Sequence, residues 1–236
     1  MSSPILLILG AGPNIGAHVA KAFTAQGYRV ALASRKPPSS DSDIGSSLHV
    51  TVDLTKPETV APAFETIKSK LGAPPSVVVY NAALFPGSDA DDPLANFDLD
   101  SYQAGLNVNV TSVIFSLQQA VKGFKSLEGS DHSKTFILTG NFLNKHVLPG
   151  MLPFGLTKAA GAYAIWNLAE AKPYEKDGVK FYFADERQSS GAPAGKAVSG
   201  PAAAEEYWKL AARKDQGPWL HTFVKGEGYK DFSASE

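Results

Sequence analysis

Two rhythms of hydrophobic residues alternate along the chain. Short apolar runs predict buried strands. ILLIL at 5–9 comes first, followed by YRVALAS (28–34), LHVTVDL (48–54), SVVVYNAA (76–83), KTFILTG (134–140), VKFYFAD (179–185) and PWLHTFV (218–224). Between the runs, apolar positions fall three and four apart. In NIGAHVAKAFTAQG, Ile15, Val19, Ala22 and Phe23 mark one helical face, and Gly27 stops it. A second helix opens near Pro57, where a missing N–H is tolerated, although Pro62 loosens its first turn. Further helices are predicted over about 100–125, about 153–172 and AAAEEYWKLAAR.

Strands alternating with helices are the pattern of a parallel sheet covered on both faces. The expected fold class is therefore α/β, a Rossmann-like doubly wound parallel sheet in three α/β/α layers. At 236 residues and 44% hydrophobic content one core suffices, so a single domain over 1–236 is expected. The stretches 36–47 and 186–201, rich in Gly, Ser, Pro, Asp and Ala, are its expected mobile segments. Ligands of such sheets bind at the carboxyl ends of the strands, near the point where strand order reverses.

Composition acts by exclusion. With 22 basic and 23 acidic residues and no long run of either sign, nothing is built to coat nucleic acid or an anionic membrane. The absence of cysteine removes disulfides, thiolate nucleophiles and thiolate metal sites, and suits a reducing compartment. The apolar start ILLIL falls short of the roughly 7–15 residues of a signal-peptide core. A cytoplasmic protein with a small-molecule substrate is expected, with neither nucleic acid nor membrane as partner and no metal.

Residues 10–16, GAGPNIG, place Gly10, Gly12 and Gly16 between the first strand and the first helix. Backbone amides there can approach a pyrophosphate, which a helix N-terminus favours. The spacing GxGxxxG misses the GxGxxG fingerprint by one residue, and a plain tight turn is the alternative. The second strand ends in ASRKPP. An acidic residue at this point would bind a ribose 2′-hydroxyl; Arg35, with Ser34 and Lys36 beside it, suits a 2′-phosphate instead. NADP(H) is therefore expected over NAD(H), the alternative being a solvated Arg-Lys pair.

In order and spacing these residues resemble the short-chain dehydrogenase/reductase superfamily over nearly the whole chain, and a divergent fungal branch of it in particular. Gly10 and Gly16 match the outer glycines of its GxxxGxG turn, with Asn14 in place of the middle one. Asp53 matches its adenine-binding Asp, Asn81 to Ala83 its Asn-Ala-Gly turn, and Asn109 in NVNVTS its structural and proton-relay Asn. The resemblance implies a cofactor set of Gly10, Gly12, Asn14, Ile15, Gly16, Ser34, Arg35, Asp53, Asn81, Ala82 and Lys158. The superfamily's active site is Ser, then Tyr thirteen residues on, then Lys four further. Lys158 fits the lysine, but Phe154 and Asn141 stand at the other two positions.

The catalytic set carried over is thus Lys158, Asn109, Asn141 and Phe154. Phe154 has no proton to give, whereas the Asn141 amide still donates a hydrogen bond to a developing oxyanion. Three readings stay open. The first is a reductase with a relocated acid, drawn from Lys145, His146, Tyr182, Asp185 or Lys158 acting through water. The second is an enzyme needing little acid catalysis, or a non-redox cyclase or isomerase. The third is a nucleotide-binding regulatory protein without turnover. Residues 186–213 occupy the place of the superfamily's substrate loop, with Ala202, Tyr207, Trp208, Leu210 and Ala211 as a candidate lid face. Helices containing Ser112–Phe124 and Thr157–Leu168 correspond to those through which relatives associate, implying a homodimer or homotetramer.

Overall fold

A computed structural model describes residues 3–36, 47–127 and 131–233. Its eight-stranded sheet has the order β3-β2-β1-β4-β5-β6-β7-β8. The strands are β1 (Ile5–Leu9), β2 (Arg29–Ser34), β3 (Leu48–Thr51), β4 (Val77–Tyr80), β5 (Lys134–Thr139), β6 (Val179–Arg187), β7 (Leu220–Val224) and β8 (Gly228–Tyr229). Every pairing from β3 to β7 is parallel; only β8, against β7, is antiparallel. All five residues of β1 are buried, as expected of a strand covered on both faces.

The described residues form the helices α1 (Ile15–Ala25), α2 (Val60–Leu71), α3 (Leu99–Leu106), α4 (Ser112–Lys125), α5 (Leu152–Ala171) and α6 (Gly200–Ala212), and all but α3 cover the sheet. Residues of α2, α4 and α5 pack with one set of strand side chains, including Leu7, Val78 and Phe183. Residues of α1 and α6 pack with the alternate set, including Leu6, Ile8 and Ala184. No helix among the described residues is long and apolar enough to cross a membrane.

Three departures from the sequence reading shape the site. The single helix expected over about 100–125 is α3 and α4 joined by a π turn at Asn107–Thr111, which contains Asn109. β6 runs to Arg187, two residues further than expected, because Glu186 and Arg187 pair with Phe223 and Val224. The segment 188–199 then folds back through an isolated bridge between Arg187 and Pro193. The segment 186–201, expected to be mobile, is hydrogen-bonded near both of its ends. The other expected mobile stretch, 36–47, lies outside the described residues apart from its first and last positions.

Candidate functional site

The sheet order reverses between β1 and β4, and the chain turns at the ends of these two strands touch. Gly10 has φ +88°, and a Cβ there would lie 2.4 Å from the Ala82 nitrogen. Only glycine satisfies both conditions. The close approach lets the Asn81 amide donate to the Gly10 carbonyl at 2.9 Å, joining the two turns. Gly16 is equally confined, 2.9 Å from the Ala11 Cα, whereas a Cβ on Gly12 would meet nothing within 4 Å. Gly12 therefore opens on free space at the helix entry.

Beyond it lies a cleft of about 310 Å³ lined by Gly10, Gly12, Ser34, Arg35, Asp53 and Ala82, among others. The Asp53 carboxylate accepts from the Thr55 hydroxyl at 2.7 Å and the Thr55 N–H at 3.1 Å. Those bonds, the hydroxyl first, hold its pKa below the usual carboxylate range. Ser34 donates its hydroxyl to the Lys36 carbonyl and lies 3.1 Å from His49 Nε2, so this side chain is engaged within the protein. Arg35 is exposed at the cleft.

A larger cavity of about 670 Å³ sits at the carboxyl ends of β4, β5 and β6. Ile15, Asn81, Asn141, Phe154, Asp185, Glu186 and Tyr207 are among its lining residues, and Phe85, Phe142 and Leu148 make much of it apolar. Asn141 accepts from the Leu143 N–H at 3.1 Å, which caps the short turn after β5 and orients its amide. Phe154 is buried, its ring centroid 4.5 Å from that of Phe85. Lys158 lies one helical turn along α5 from Phe154, with Nζ 5.7 Å from the Phe154 ring centroid. That ammonium donates to the Thr139 carbonyl at 3.0 Å. Burial lowers its pKa to about 8, against the opposing pull of the Asp185 charge.

Asn81, Asn141 and Phe154 thus line the larger cavity, with Lys158 buried beside Phe154, while Gly10, Gly12, Arg35 and Asp53 line the cleft. Two sequence candidates tie distant segments together. The Asn109 amide donates to the Leu84 carbonyl at 2.7 Å and to Thr157 Oγ1 at 3.0 Å, and accepts from the Leu84 N–H at 2.9 Å. It therefore pins the loop after β4 to α5 from behind the cavity. Asn14 turns its amide away from its own helix, onto Val198 and Gly200. Of the relocated acids, Tyr182 is placed elsewhere: its hydroxyl accepts from the Gly217 N–H at 3.0 Å. Asp185 lines the cavity but is held 2.5 Å from Arg187 Nε in a buried pair. The His146 ring stacks on Phe142 with centroids 4.0 Å apart.

Sequence reasoning missed a polar chain beneath the cavity. The Tyr207 hydroxyl donates to Thr139 Oγ1 at 2.9 Å, and that hydroxyl donates to Asn81 Oδ1 at 3.0 Å. The only signal was the position of Thr139 at a strand's carboxyl end; Tyr207 read as one of several apolar residues on a helix. Glu186, one residue beyond the expected end of the strand, accepts from the Ser199 N–H at 2.8 Å, and burial raises its pKa.

The chain is similar to known proteins over most of its length. Residues 10–179 match the family described as enoyl-(acyl carrier protein) reductase. A protein of Cryptosporiopsis sp., the short chain dehydrogenase/reductase dmxR12, is 42% identical over 99% of this chain and 97% of its own. The short chain dehydrogenase/reductase dpfgG of Gibberella zeae is 27% identical over 69% of this chain and 64% of its own. Among solved structures, the NADH-dependent reductase A1-R′ complexed with NAD superposes with TM-score 0.77 at 20% identity, covering 89% of each chain. A metagenomic short-chain oxidoreductase in complex with NADP gives 0.79 at 16% identity, covering 94% of this chain and 97% of its own. At such identities the structural likeness is one of fold.

Proposed function

The chain belongs to the short-chain dehydrogenase/reductase superfamily, and from that premise we propose that it is an NADP(H)-dependent oxidoreductase of a small organic substrate, working without the superfamily's serine and tyrosine. The observation that carries this reading is the arrangement just described: residues suited to a dinucleotide line the cleft around Gly12, and the larger cavity has a buried lysine beside Phe154 in its wall. The chain fits such a ligand. Gly12 opens on free space, and α1 is left uncapped by the side chain of its own N-cap residue. The coenzyme would supply or remove hydride. Arg35 presents a planar fork of donors to a 2′-phosphate. Asn81, braced by Thr139 and by the Gly10 carbonyl, fixes the turn between the two ends.

At the reacting end the Asn141 amide is positioned to donate to a substrate oxygen as negative charge develops. An ammonium with pKa about 8 releases its proton more readily than an ordinary lysine, so Lys158 supplies it through an intervening water. Phe154 contributes shape and a ring face. The same residue favours a second reading, a non-redox enzyme or a regulatory protein without turnover, because no proton can leave its ring.

Energy transfer from the three tryptophans to reduced nicotinamide tests the primary reading. NADPH is expected to bind with a micromolar Kd and NADH at least about 30-fold more weakly, the worth of roughly one charge-assisted pair. Silence toward both coenzymes would sink it.

The reading extends to the whole chain as one domain in which 186–213 serves as lid, and to a cytoplasmic location. Ile114 and Phe115 of α4 and Tyr163 and Trp166 of α5 are all at least 40% exposed, an apolar surface that a homodimer or homotetramer would cover. Sedimentation velocity at about 20 μM should show a dimer or larger species, since interfaces of that kind are hydrophobic and stable. A sole monomer species would refute the assembly.

A further inference from the structure

Asn14 is where the turn at the start of α1 meets the strap formed by residues 188–199. An Asn at a helix N-cap ordinarily folds back to accept from the free N–H groups of its own first turn. Asn14 holds that position in α1 and makes no such bond. Its amide is spent far along the chain instead: Nδ2 donates to the Val198 carbonyl at 2.9 Å, and Oδ1 accepts from the Gly200 N–H at 2.8 Å. Its own carbonyl takes His18 Nδ1 at 2.8 Å. Gly200 is fitted against this arrangement so tightly that a Cβ would lie 2.4 Å from His18 Nδ1 and 2.6 Å from Asn14 Oδ1.

Between these bonds the Ser199 N–H donates to the Glu186 carboxylate at 2.8 Å, so three consecutive residues are fastened to the turn and to β6. The near end of the strap is fastened as well, by Arg187 Nη1 to the Gly191 carbonyl at 3.0 Å and Gln188 Nε2 to the Pro193 carbonyl at 2.9 Å. Residues 194–197 lie between the two sets of fastenings. Ala194 and Lys196 among them, with Pro193 and Val198 on either side, form one wall of the large cavity.

We propose that Asn14 is a positioning residue: a latch that holds the strap closed as a wall of the cavity and ties it to the turn where the dinucleotide's phosphates are read to bind. One side chain then serves both parts of the crevice. Opening the wall means breaking two hydrogen bonds at the turn, so a ligand seated there is retained by the strap. The latch itself is a property of the ligand-free chain; the retention rests on the coenzyme reading above.

Lys196 is exposed at the middle of the strap, and trypsin cleavage after it reports strap opening in the full chain without any ligand. Asn14→Gly is expected to speed that cleavage at least about tenfold, the effect of losing roughly two hydrogen bonds. Gly200→Ala, which strikes the latch from the other side, should act in the same direction. Asn14→Asp keeps the acceptor, removes the donor and should give a smaller increase. A well-folded Asn14→Gly protein cleaved at the wild-type rate overturns the latch. So does an equal acceleration at lysines throughout the chain, which would signal global unfolding. Should Asn14→Gly fail to fold, Asn14→Asp is judged by the same criteria.

Retention has its own readout. NADPH release, followed by stopped flow, should be about tenfold faster from Asn14→Gly than from the parent chain. Faster cleavage with unchanged release overturns the retention. If the parent chain binds no NADPH, the coenzyme reading and the retention both fail, while the cleavage rates still decide the latch.

Discussion

Exchanging Arg35 for Asp is expected to reverse the order of the two coenzymes, weakening NADPH and strengthening NADH. Arg35 stands just after β2, exposed on the cleft that Gly10, Gly12 and Asp53 also line. A guanidinium on a phosphate makes two parallel charge-assisted bonds, and hydrogen bonds to charged groups are worth about 1.5–3 kcal/mol net. Part of that is screened at an open site, so the loss of Arg alone corresponds to roughly a tenfold to hundredfold weaker NADPH. The introduced Asp adds repulsion toward a phosphate and an acceptor for a 2′-hydroxyl, the arrangement that selects the unphosphorylated coenzyme. Together these should swing the ratio of the two dissociation constants by about 10²–10³, each factor of ten being about 1.4 kcal/mol. Titration calorimetry of both coenzymes against both proteins measures the swing. An unaltered ratio would show that Arg35 is a solvated residue at a strand end and that the phosphate, if bound, is read elsewhere.

What the sequence disclosed, and what it hid, divides by range. Phe154 and Lys158 share α5, and Asn141 follows β5, so the spacing of those elements was enough to bring Asn141 and Phe154 to one cavity with Lys158 beside Phe154. Gly10 was legible for the same reason, because a chain leaving a strand for a helix must turn sharply there. The extent of β6 was not. Glu186 and Arg187, polar and beyond the expected strand end, are buried together with Asp185: Asp185 pairs with Arg187, and Glu186 takes the Ser199 N–H. A charged run becomes strand when its charges satisfy one another and its backbone joins the ladder, and neither condition is visible in local propensity. The partners of the Asn14 side chain were hidden in a related way, since they lie 184 and 186 residues away. The chain Tyr207–Thr139–Asn81 likewise joins three elements that only the folded sheet brings together.

Replacing Phe154 with Tyr and Asn141 with Ser together is expected to raise carbonyl reduction with NADPH about 10²–10⁴-fold, the usual contribution of a positioned general acid. That range corresponds to roughly 3–5 kcal/mol of barrier. The scaffold for the gain is already in place. Phe154 lines the cavity, its ring packed against Phe85. Lys158 Nζ lies 5.7 Å from that ring's centroid, close enough for an ammonium to stabilise a phenolate and lower the pKa of a tyrosine from about 10. The lysine itself titrates near pH 8, because burial favours its neutral form. Its charge is present below that pH and lost above it, so the gain should be greatest at neutral pH and fade as pH rises past 8. The profile of kcat/KM over a panel of ketones and aldehydes, from about pH 6 to pH 9, measures both effects. No gain in a double variant that still binds NADPH would mean that the missing phenol is not what limits this site. Loss of an activity possessed by the parent chain would instead show that its reaction depends on the phenyl ring and the amide as they stand.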